Sequence, residues 1–488
     1  MKILILNPPG SDKHYINRDQ MGGMGQKISF GKDFRSKLLS ALKSEFIHLP
    51  VMQLVYAATI LNQFHKIKVI DALNEDKNLN IVLNEIKNFK PDYVVMAVSS
   101  SEILYERDVV AKKIKQIIPD CKIVTIGDMI TEVPSLIKQP FDIGIIGEVE
   151  KVIISIFENK DLSNTPGIIY RKNGKLIINK KLPFLTSKEM EELPFPKWEL
   201  FNYKKFTYYP LIFKKPVAIM LTSRGCPFGC YYCSYSKNMG VEWRARSAQS
   251  VFDEMNYDYS EYGFKGISIR DPVFSLDKSR TEKIADIIIK NKLNILWTFE
   301  TRPELLTKDL LNKLHKAGCI GINMGIESIT PNVLKSIGRN PIPIKKIKEI
   351  ISHAEKIGIR TTCFFMFGLP MSNRKSIEDN IKFSLELNPS HAEYKIATPF
   401  PGTKMHEIAK NNKWIISEDY SNLGGYSSTM KISEEMSPEY LEKISSEAFK
   451  KFYLRKSYII RELKRGNILI ENYILMKSLL AAIKKRIK

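Results

Sequence analysis

The chain has 488 residues, a formal net charge of +22, 44% hydrophobic residues and 26% charged residues. This composition excludes a wholly disordered chain and a collagen-like repeat, and no apolar run approaches the ~18 residues that a membrane-spanning helix needs. The basic excess favours an anionic partner. It is partly local, however, because residues 448–488 alone hold twelve Lys and Arg against two Glu. The charge by itself therefore does not indicate nucleic-acid binding.

The cysteines indicate a reducing compartment. Three of the six lie within residues 226–233 and the others are scattered, which is typical of a metal site rather than of a disulfide framework. The apolar run at residues 1–7 is too short for a signal peptide and is followed at once by Pro8 and Pro9. We expect a cytoplasmic protein.

Residues 1–160 alternate short β-branched runs with amphipathic stretches, which predicts a doubly wound, Rossmann-like parallel sheet of α/β class. Ligands of such sheets bind at the carboxyl ends of the strands, where this sequence has small and turn-forming residues. Ordinary turns are the alternative explanation of those residues. The predicted strands are 2–7, 68–71, 93–99, 122–127 and 143–147, and the predicted helices are 49–64, 78–89, 104–118 and 131–138.

Residues 161–210 are predicted to be a hairpin and a linker. Within them, residues 166–181 form two apolar runs around Asn173-Gly174, a pair typical of a two-residue hairpin turn. Pro183, Pro194 and Pro196 follow, and such a proline-containing stretch favours a domain boundary.

Residues 211–415 form a second β/α series with six predicted units, which favours an open, partial (β/α)6 barrel of TIM-like type. Catalytic residues of such barrels lie at the C-terminal ends of the strands. The predicted strands are 218–222, 266–269, 293–299, 320–325, 361–367 and 392–397, and the predicted helices include 247–262, 280–290, 308–317 and 344–356.

The remaining residues, 416–488, are predicted to be a helical, basic C-terminal extension. From residue 435 onward the segment is apolar on one side and basic on the other. Such helices either lie on an anionic membrane surface or pack on their own domain with a solvated lysine face. Both alternatives stay open at this stage, so a peripheral membrane location is a second expectation beside a cytoplasmic one.

Three cysteines lie on one short loop directly after the first predicted strand of the second series. Cys226, Cys230 and Cys233 have the spacing C-x3-C-x2-C, and thiolates are typical ligands of soft metal centres. Structural zinc sites use four protein ligands, commonly from paired C-x2-C units, and the sequence has no second such pair. A [4Fe–4S] cluster on three cysteines leaves one iron open to an outside ligand, so we expect a cluster that takes part in chemistry.

This spacing, with aromatic Tyr232 before the last cysteine, resembles the cluster loop of the radical S-adenosylmethionine (SAM) superfamily. The resemblance implies that SAM binds the open iron and that its reductive cleavage yields a 5′-deoxyadenosyl radical, which takes hydrogen from an unactivated carbon. It also implies an electron donor of flavodoxin or ferredoxin type. Further segments that resemble motifs of the superfamily are 244–247, 271–274, 297–302, 325–328, 367–370 and 399–403.

The same resemblance assigns residues to the SAM site. Glu327 is placed to accept hydrogen bonds from the ribose or the amine. Arg302 either pairs with the SAM carboxylate or forms a surface salt bridge, and Asp271 either caps a helix or contacts the substrate. The implied SAM residues are Phe228, Tyr232, Arg302, Glu327 and Ser328.

A doubly wound domain followed by this barrel resembles the cobalamin-binding subgroup, which includes methyltransferases, a ring-forming cyclase of bacteriochlorophyll synthesis and lipid-modifying enzymes. Segments 127–134 and 142–150 resemble its loop motifs, although the single glycine of Gly127-Asp128 departs from them. No D-x-H-x-x-G is present, so no histidine is expected below the cobalt. The implied cobalamin residues are Asn7, Pro8, Ser99, Ser100, Gly127, Thr131, Gly147 and Glu148.

We therefore expect a radical SAM enzyme, and our first hypothesis is cobalamin-dependent C-methylation of a lipid, an isoprenoid or another secondary metabolite. Radical cyclisation or carbon–carbon bond formation on a lipid or tetrapyrrole is one alternative, and tRNA modification is another. No platform of aromatic residues interleaved with Arg is evident, so the expected partner is a small-molecule or lipid substrate and not nucleic acid. The lipid hypothesis depends on the basic tail, where residues 452–461 resemble the lipid-modifying relatives.

Overall fold

The computed structural model describes residues 1–11, 16–18, 26–27, 47–159, 161–209 and 211–465. These residues form a mixed α/β fold with two large, mainly parallel sheets. In the described ranges, no helix combines the length and apolarity that crossing a membrane requires.

The first of the two large sheets, which we call the N-terminal sheet, has seven strands. Its first strand in the chain lies between the second and the third. The strand order therefore reverses next to the first strand. This is the topological switch point, where open α/β sheets bind ligands. In spatial order the strands are Lys175–Ile178, Ile168–Lys172, Ile143–Ile145, Lys122–Ile126, Tyr93–Ala97, Lys2–Asn7 and Lys66–Asp71.

The five strands predicted in residues 1–160 are all present and parallel to one another. Most of their residues are apolar, although the edge strand Lys66–Asp71 also carries charged residues. The first strand is fully buried from Ile3 to Leu6, as expected for a sheet with both faces covered. The helices of this part are Met52–Leu61, Leu79–Phe89, Ile103–Tyr105, Lys112–Ile117, Asp128–Glu132 and Val149–Glu158, with a π-helical segment at Glu106–Ala111.

The predicted hairpin belongs to the N-terminal sheet and not to a separate linker. Asn173 and Gly174 both have positive φ angles, 51° and 77°, which is the geometry that an Asn-Gly hairpin turn needs. The first hairpin strand then pairs antiparallel with Ile143–Ile145. Chain distance hid this contact, because the pairing partner lies more than twenty residues earlier.

The second sheet, which we call the central sheet, has six strands that are all parallel and follow one another in chain order. All six predicted strands are present, with ends that differ by three residues or fewer. The strands are Val217–Met220, Gly266–Ile269, Leu296–Thr301, Cys319–Glu327, Arg360–Phe367 and His391–Ile396, and the helices between them are Ala248–Tyr262, Lys278–Lys290, Lys308–Lys316, Ile344–Lys356 and Arg374–Leu387.

Side-chain caps set where these connecting helices begin. Ser247, Asp277, Thr307 and Asn373 each accept a hydrogen bond from a backbone N–H in the first turn of the helix that follows, as polar N-cap residues do. The shorter elements are the helices Ser187–Glu191, Tyr235–Asn238, Pro331–Ser336 and Lys404–Asn411, and the paired strands Ile16–Asn17 with Gln26–Lys27, Ile47–His48 with Thr207–Tyr208, and Ser223–Arg224 with Arg244–Ala245.

The carboxyl edges of the two sheets meet. Ser100 Oγ, just after a strand of the N-terminal sheet, donates a hydrogen bond to the Leu423 carbonyl oxygen at 3.1 Å. Phe400, which follows the last strand of the central sheet, packs with Leu423 into the apolar core of the N-terminal sheet. Residues at both edges therefore face a common region.

The described part of the basic tail packs on the central sheet. The described tail contains helices Pro438–Tyr453 and Lys456–Lys464, and two of its arginines donate to carbonyl oxygens at the C-terminal end of helix Arg374–Leu387. Arg455 bonds Leu385 at 3.0 Å and Arg461 bonds Asn388 at 2.6 Å, a favourable place for positive charge. Of the two alternatives for the tail, packing on its own domain is confirmed up to residue 465; residues 466–488 lie outside the described part.

Candidate functional site

The loop that carries the three cysteines is held at its start by a buried carboxylate. Asp271, fully buried after the second strand of the central sheet, accepts hydrogen bonds from the Thr222 backbone N–H at 2.6 Å and from Ser223 Oγ at 2.7 Å. It thereby fixes the backbone three residues before Cys226. The substrate contact suggested for Asp271 stays a prediction, and the contacts described here are those of a positioning residue.

The next turn of the loop admits only glycine. Gly225 has a φ of 83°, and a Cβ atom there would lie 1.9 Å from the Glu242 carbonyl oxygen, which no rotation of a side chain relieves. The Cys226 backbone N–H donates to the Gly240 carbonyl oxygen at 3.0 Å. The two sides of the loop are therefore drawn tightly together at Cys226.

Cys226, Cys230 and Cys233 are half-buried together on this loop. Burial raises the pKa of each thiol, to about 12 for Cys233. Neighbouring cysteines add to the rise at Cys226 and Cys233, and Glu327 adds to it at Cys230. Three thiols with raised pKa values are poor free thiolates. Coordination to positive iron is the interaction that would stabilise their charge.

The described residues contain no group of three or more His, Cys, Asp or Glu side chains that could hold a single metal ion. A zinc site closed by a fourth protein ligand is therefore not supported there. A [4Fe–4S] cluster has a different requirement, because each cysteine binds its own iron atom and the sulfurs stand further apart than the ligands of one ion.

A buried trio of side chains lies beside the cysteines. Tyr232 Oη donates to Glu327 Oε1 at 2.9 Å, and Arg339 Nη1 donates to the same oxygen at 3.1 Å. Burial raises the pKa of Glu327, while Arg339 and Tyr232 oppose that rise. Arg339 Nε is buried with no hydrogen-bond partner among the described residues, so the trio retains a donor for an anionic group.

Glu327 stands where the fourth strand of the central sheet ends. Its φ is 64°, and the pairing register with the fifth strand shifts between Gly325 and Glu327. A left-handed conformation costs a non-glycine residue free energy and is found preferentially at functional sites. The twist turns the carboxylate toward Tyr232 on the cysteine loop.

Arg302 and Phe228 meet on the other side of the loop. The Arg302 guanidinium lies 3.9 Å from the centre of the Phe228 ring, a cation–π contact, and its Nε also donates to Glu304. Ser328, next to Glu327, bonds instead with the Asn380 side chain at 3.3 Å. The structure therefore brings Phe228, Tyr232, Arg302 and Glu327 around the cysteines, while the Ser328 hydroxyl is engaged in the protein.

Two residues near the cysteine loop, Arg339 and Glu304, were not predicted from the sequence. Arg339 lies twelve residues after Glu327, on the far side of helix Pro331–Ser336, and no motif marks it. Glu304 retains a buried Oε2 with no partner among the described residues. The only sequence feature next to Arg339 that relates it to the cysteine loop is the preceding Gly338. In the structure a Cβ atom at Gly338 would lie 2.5 Å from the Tyr231 ring, so this segment packs closely against the loop.

At the carboxyl edge of the N-terminal sheet, Asn7 and Ser99 belong to a buried polar network. Asn7 Nδ2 donates to Asp71 at 2.7 Å, and Asn7 Oδ1 accepts from Arg18 at 2.7 Å. The Ser99 backbone N–H donates to Glu106 at 2.9 Å, and Glu106 pairs with Arg18 at 2.8 Å. Arg18 and Glu106, both missed at the sequence level, thus set the positions of two predicted residues.

This network predicts a pH dependence of stability through Asp71. Burial raises the pKa of Asp71 to about 6, against hydrogen bonds from Asn74 and Asn7 that lower it. The pKa of Asp71 in the folded protein exceeds its ordinary value of about 3.9. The stabilisation that protonated Asp71 contributes to the folded protein is therefore fully present below about pH 4 and is lost as the pH rises through about 6. Between pH 5 and pH 8 we expect the free energy of unfolding to fall by about 1 kcal/mol through this group.

Urea unfolding of the protein and of Asp71→Asn at several pH values measures this component. The difference in the free energy of unfolding between the two proteins should change by about 1 kcal/mol between pH 5 and pH 8. Parallel pH profiles would show that the Asp71 carboxyl does not titrate there.

The other predicted residues of this edge differ in what they offer. Pro8 is buried at the end of the first strand, Thr131 is half-buried on helix Asp128–Glu132 and Gly147 has a φ of 83°. At Gly127, φ is 153° and a Cβ would lie 2.5 Å from the Val98 carbonyl oxygen. The neighbouring Ser101 Oγ is buried with no partner among the described residues.

Glu148 links the N-terminal sheet to the cysteine loop. It pairs with Arg224 at 3.0 Å and with Arg244 at 3.2 Å, and Glu150 pairs with Arg224 at 2.6 Å. All four side chains are buried, and removing one partner of such a set is costly because it leaves an uncompensated charge. Arg224 stands two residues before Cys226, so this bridge fixes the loop relative to the N-terminal sheet, and a cobalamin contact of Glu148 stays a prediction.

The fold and the cysteine loop define a radical SAM protein, and comparison with known proteins agrees. A profile of the Radical SAM superfamily matches residues 220–384. An uncharacterized methyltransferase of Pyrococcus horikoshii is 30% identical over 421 residues, which are 85% of this chain and 90% of that protein. This chain therefore belongs to the radical SAM superfamily.

Two further similarities extend over most of the chain. The anaerobic magnesium-protoporphyrin IX monomethyl ester cyclase of Rubrivivax gelatinosus is 24% identical over 403 residues, which are 80% of this chain and 71% of the cyclase. The radical SAM methyltransferase TsrM of Kitasatospora setae, solved with cobalamin and a [4Fe–4S] cluster bound, has a TM-score of 0.66 and 16% identity over 91% of this chain and 84% of TsrM. At that identity the TsrM comparison establishes the fold.

Proposed function

We propose that this protein is a cobalamin-dependent radical SAM enzyme that transfers a methyl group to an unactivated carbon. The observation that carries the proposal is the half-buried three-cysteine loop, held between the Tyr232–Glu327–Arg339 trio and the bridge to the N-terminal sheet. The methyltransferase names of two similar proteins support methyl transfer over the alternative of ring formation.

Cys226, Cys230 and Cys233 are the residues that would hold a [4Fe–4S] cluster. When bound, the cluster supplies the electron that cleaves SAM, and cobalamin supplies the methyl carrier. The protein contributes a loop whose backbone is fixed at Thr222, Gly225 and Cys226 by contacts within the protein. A fixed loop lowers the entropic cost of assembling the site.

The side chains around the loop fit SAM in charge. The unpartnered Arg339 Nε donor suits a carboxylate, and a guanidinium forms strong charge-assisted bonds with such a group. The Glu327 carboxylate suits an amine or a ribose hydroxyl, and the Phe228 and Tyr232 rings supply surfaces for the adenine. Arg302 is fixed by its contact with Phe228, so it adds positive charge beside the loop at a defined position.

The carboxyl edge of the N-terminal sheet fits cobalamin mainly through its backbone. Gly127 and Gly147 allow a large ligand to approach the main chain, and the Ser101 hydroxyl is available to bond with it. The side chains of Asn7, Ser99 and Ser100 form hydrogen bonds within the protein. We therefore expect them to hold the backbone of this edge in place and not to bond with the ligand. We infer that the N-terminal sheet is the doubly wound, Rossmann-like domain and that the central sheet is the partial (β/α)6 barrel.

We place the enzyme in the cytoplasm, with an electron donor of flavodoxin or ferredoxin type. The reducing chemistry of the proposed cluster supports a reducing compartment. Arg455 and Arg461 bond to carbonyl oxygens of the central domain, and Arg465 bonds to the Glu355 and Ser390 side chains, which removes the main support for membrane contact from residues 455–465.

Anaerobically purified protein tests both cofactors and the reaction. We expect about four iron and four sulfide per chain, corrinoid absorption bands, and transfer of a deuterated methyl group from labelled SAM to a product. Protein that contains iron but no corrinoid, and that forms a new ring without label, would favour the cyclase alternative and overturn methyl transfer.

A substitution at Gly127 separates the two cofactor sites. In Gly127→Val the side chain must push against the Val98 carbonyl oxygen at the carboxyl edge of the N-terminal sheet, so we expect corrinoid content to fall at least tenfold while iron content is kept. Gly174→Val, in the hairpin turn with nothing within 4 Å of a Cβ, is the matched control for adding bulk at a positive φ, and it should retain both. Equal loss of iron and corrinoid in Gly127→Val would show general misfolding instead.

A further inference from the structure

The face of the central sheet that points away from its helices is mainly polar. Along the second to sixth strands, apolar residues that pack against the helices, such as Phe299, Met324 and Tyr394, alternate with residues of the opposite face, where Phe364 and Met366 are apolar exceptions. On that opposite face stand Arg270, Glu300, Asn323, Thr362, Glu393 and Lys395, all shielded from solvent to a large extent. Ordinary barrels fill this interior with branched apolar side chains, so its composition here needs an explanation.

Four residues make up what we call the Asn323 cluster. Arg270 follows the second strand of the central sheet, Glu300 and Asn323 lie on the third and fourth strands, and Tyr208 comes from the short strand Thr207–Tyr208. Arg270 pairs with Glu300 at 2.6 Å, and Asn323 Nδ2 donates to Tyr208 Oη at 2.8 Å. Asn323 is 4% exposed, and its Oδ1 atom has no hydrogen-bond partner among the described residues. A buried acceptor without a partner is costly, and it calls for a donor from a ligand.

Three residues near the last strand make up the Lys395 cluster, namely Glu393, Lys395 and Tyr426. Lys395 Nζ donates to Tyr426 Oη, Tyr426 Oη donates to Glu393 at 3.0 Å, and the two charges lie 3.7 Å apart. Asn323 pairs with Thr362, which pairs with His391, two residues before Glu393, so the two clusters lie two strands apart on the sheet. Burial raises the pKa of Tyr208, and both Glu300 and Glu393 add to this rise.

Strand register puts these clusters next to the proposed SAM site. Glu393 pairs with Phe364, which pairs with Gly325, two residues before Glu327. Glu300 likewise lies two residues before Arg302. At about 3.3 Å per residue, Glu300 lies within about 7 Å of Arg302 along its own strand. Glu393 is offset from Glu327 by about the same distance along the strands and by two strand spacings, about 10 Å, across the sheet.

We propose that this interior face binds the substrate, and that the substrate is a small, water-soluble molecule bearing a hydroxyl or amine donor for Asn323 and an acceptor group for Lys395. The inference depends on the proposed function and goes further by naming the substrate class. A hydrocarbon chain in this space would strip water from buried charges without replacing the hydrogen bonds, which is strongly unfavourable. The interior therefore argues against the lipid or isoprenoid suggested by the basic tail.

Thermal unfolding of the holoenzyme in saturating SAM tests the site independently of turnover. The probes are the aqueous and the chloroform-soluble fractions of one methanol–chloroform extract of the native cells. We expect the aqueous fraction to raise the midpoint by about 2 °C and the chloroform fraction to leave it unchanged. A rise with the chloroform fraction, or with neither fraction, overturns the proposal.

Variants locate the effect. Asn323→Leu, of similar volume, should lose the rise, and so should Lys395→Met, which serves as the second variant if the first does not fold. Asn312→Leu, on the exposed surface of helix Lys308–Lys316, is the matched control and should keep it. A rise retained in both cluster variants would place the ligand elsewhere and overturn the assignment.

Transfer of a deuterated methyl group, measured in the same two fractions, keeps this inference distinguishable from the proposed function. Label in an aqueous product supports both. Label in a chloroform-soluble product refutes the substrate class and leaves methyl transfer standing. A midpoint rise that depends on Asn323, with no labelled product in either fraction, supports the site and refutes methyl transfer.

Discussion

Replacing Cys230 by alanine is expected to abolish reductive cleavage of SAM, with a loss of at least about 1,000-fold in 5′-deoxyadenosine formation. Only Cys226 and Cys233 would remain on the loop, and two thiolates do not hold a cluster that presents one open iron to SAM. Among the described residues, no group of three or more His, Cys, Asp or Glu side chains forms an alternative metal site. Iron and sulfide content and 5′-deoxyadenosine, measured on anaerobically reconstituted protein, report the effect.

Cys319→Ala is the matched control for this variant. Cys319 is fully buried at the start of the fourth strand of the central sheet, and its sulfur contacts only the neighbouring Gly321 carbonyl oxygen at 3.7 Å among the described hydrogen bonds. Removing this small side chain should cost about 1 kcal/mol of stability and leave iron content and SAM cleavage unchanged. Undiminished deoxyadenosine formation by Cys230→Ala would refute the ligand role, and with it the proposed site.

Glu327→Gln is expected to weaken SAM binding by roughly 30-fold, equivalent to about 2 kcal/mol for loss of a charge-assisted hydrogen bond. The amide keeps the shape of the side chain, but it cannot act as an anionic partner for an amine. It also places a neutral group against Arg339, whose positive charge then lacks its buried partner. Equilibrium binding of SAM to protein with intact cluster measures this effect separately from turnover.

Tyr232→Phe controls for the contact between the trio and the loop. It removes the hydroxyl that donates to Glu327 at 2.9 Å but leaves the carboxylate, so we expect a loss of SAM affinity below fivefold. Iron content should be normal in both variants. If Glu327→Gln lost iron and kept its affinity for SAM, the carboxylate would be a support of the cysteine loop and not a SAM ligand.

The strands and helices were largely predictable because their signals are local. The first strand and helix Ile344–Lys356 have the predicted ends, since a continuous β-branched run and a clean helical period each specify one structure. The cysteine loop was equally predictable, because the three cysteines lie within eight residues of one another. The role of the hairpin was not, since a strand contains no information about which edge it will pair with.

The candidate site shows the same division. Glu327 was predicted because it stands in a motif at a strand end, whereas Arg339 was missed because a helix separates the two in sequence. Glu148 was assigned to cobalamin, yet its oxygens pair with Arg224 and Arg244, which lie more than seventy residues later. Asn323 had no signal, since a single polar residue in an apolar strand does not reveal which face it occupies until the sheet closes. Lys395 stands on a strand that alternates polar with apolar residues, but alternation does not tell which other elements its polar side will face.

By itself, the sequence determined the α/β class, the order of the elements, the cysteine loop and, through that loop, the radical SAM superfamily. Only the tertiary structure decided that the carboxyl edges of the two sheets meet, that Arg339 completes the Glu327 site, and that the interior of the central sheet is polar. The physical reason is range. Hydrogen-bonded turns, caps and strand runs are set by neighbouring residues, whereas buried charges find their partners only when the folded chain brings distant segments within a few ångströms of one another.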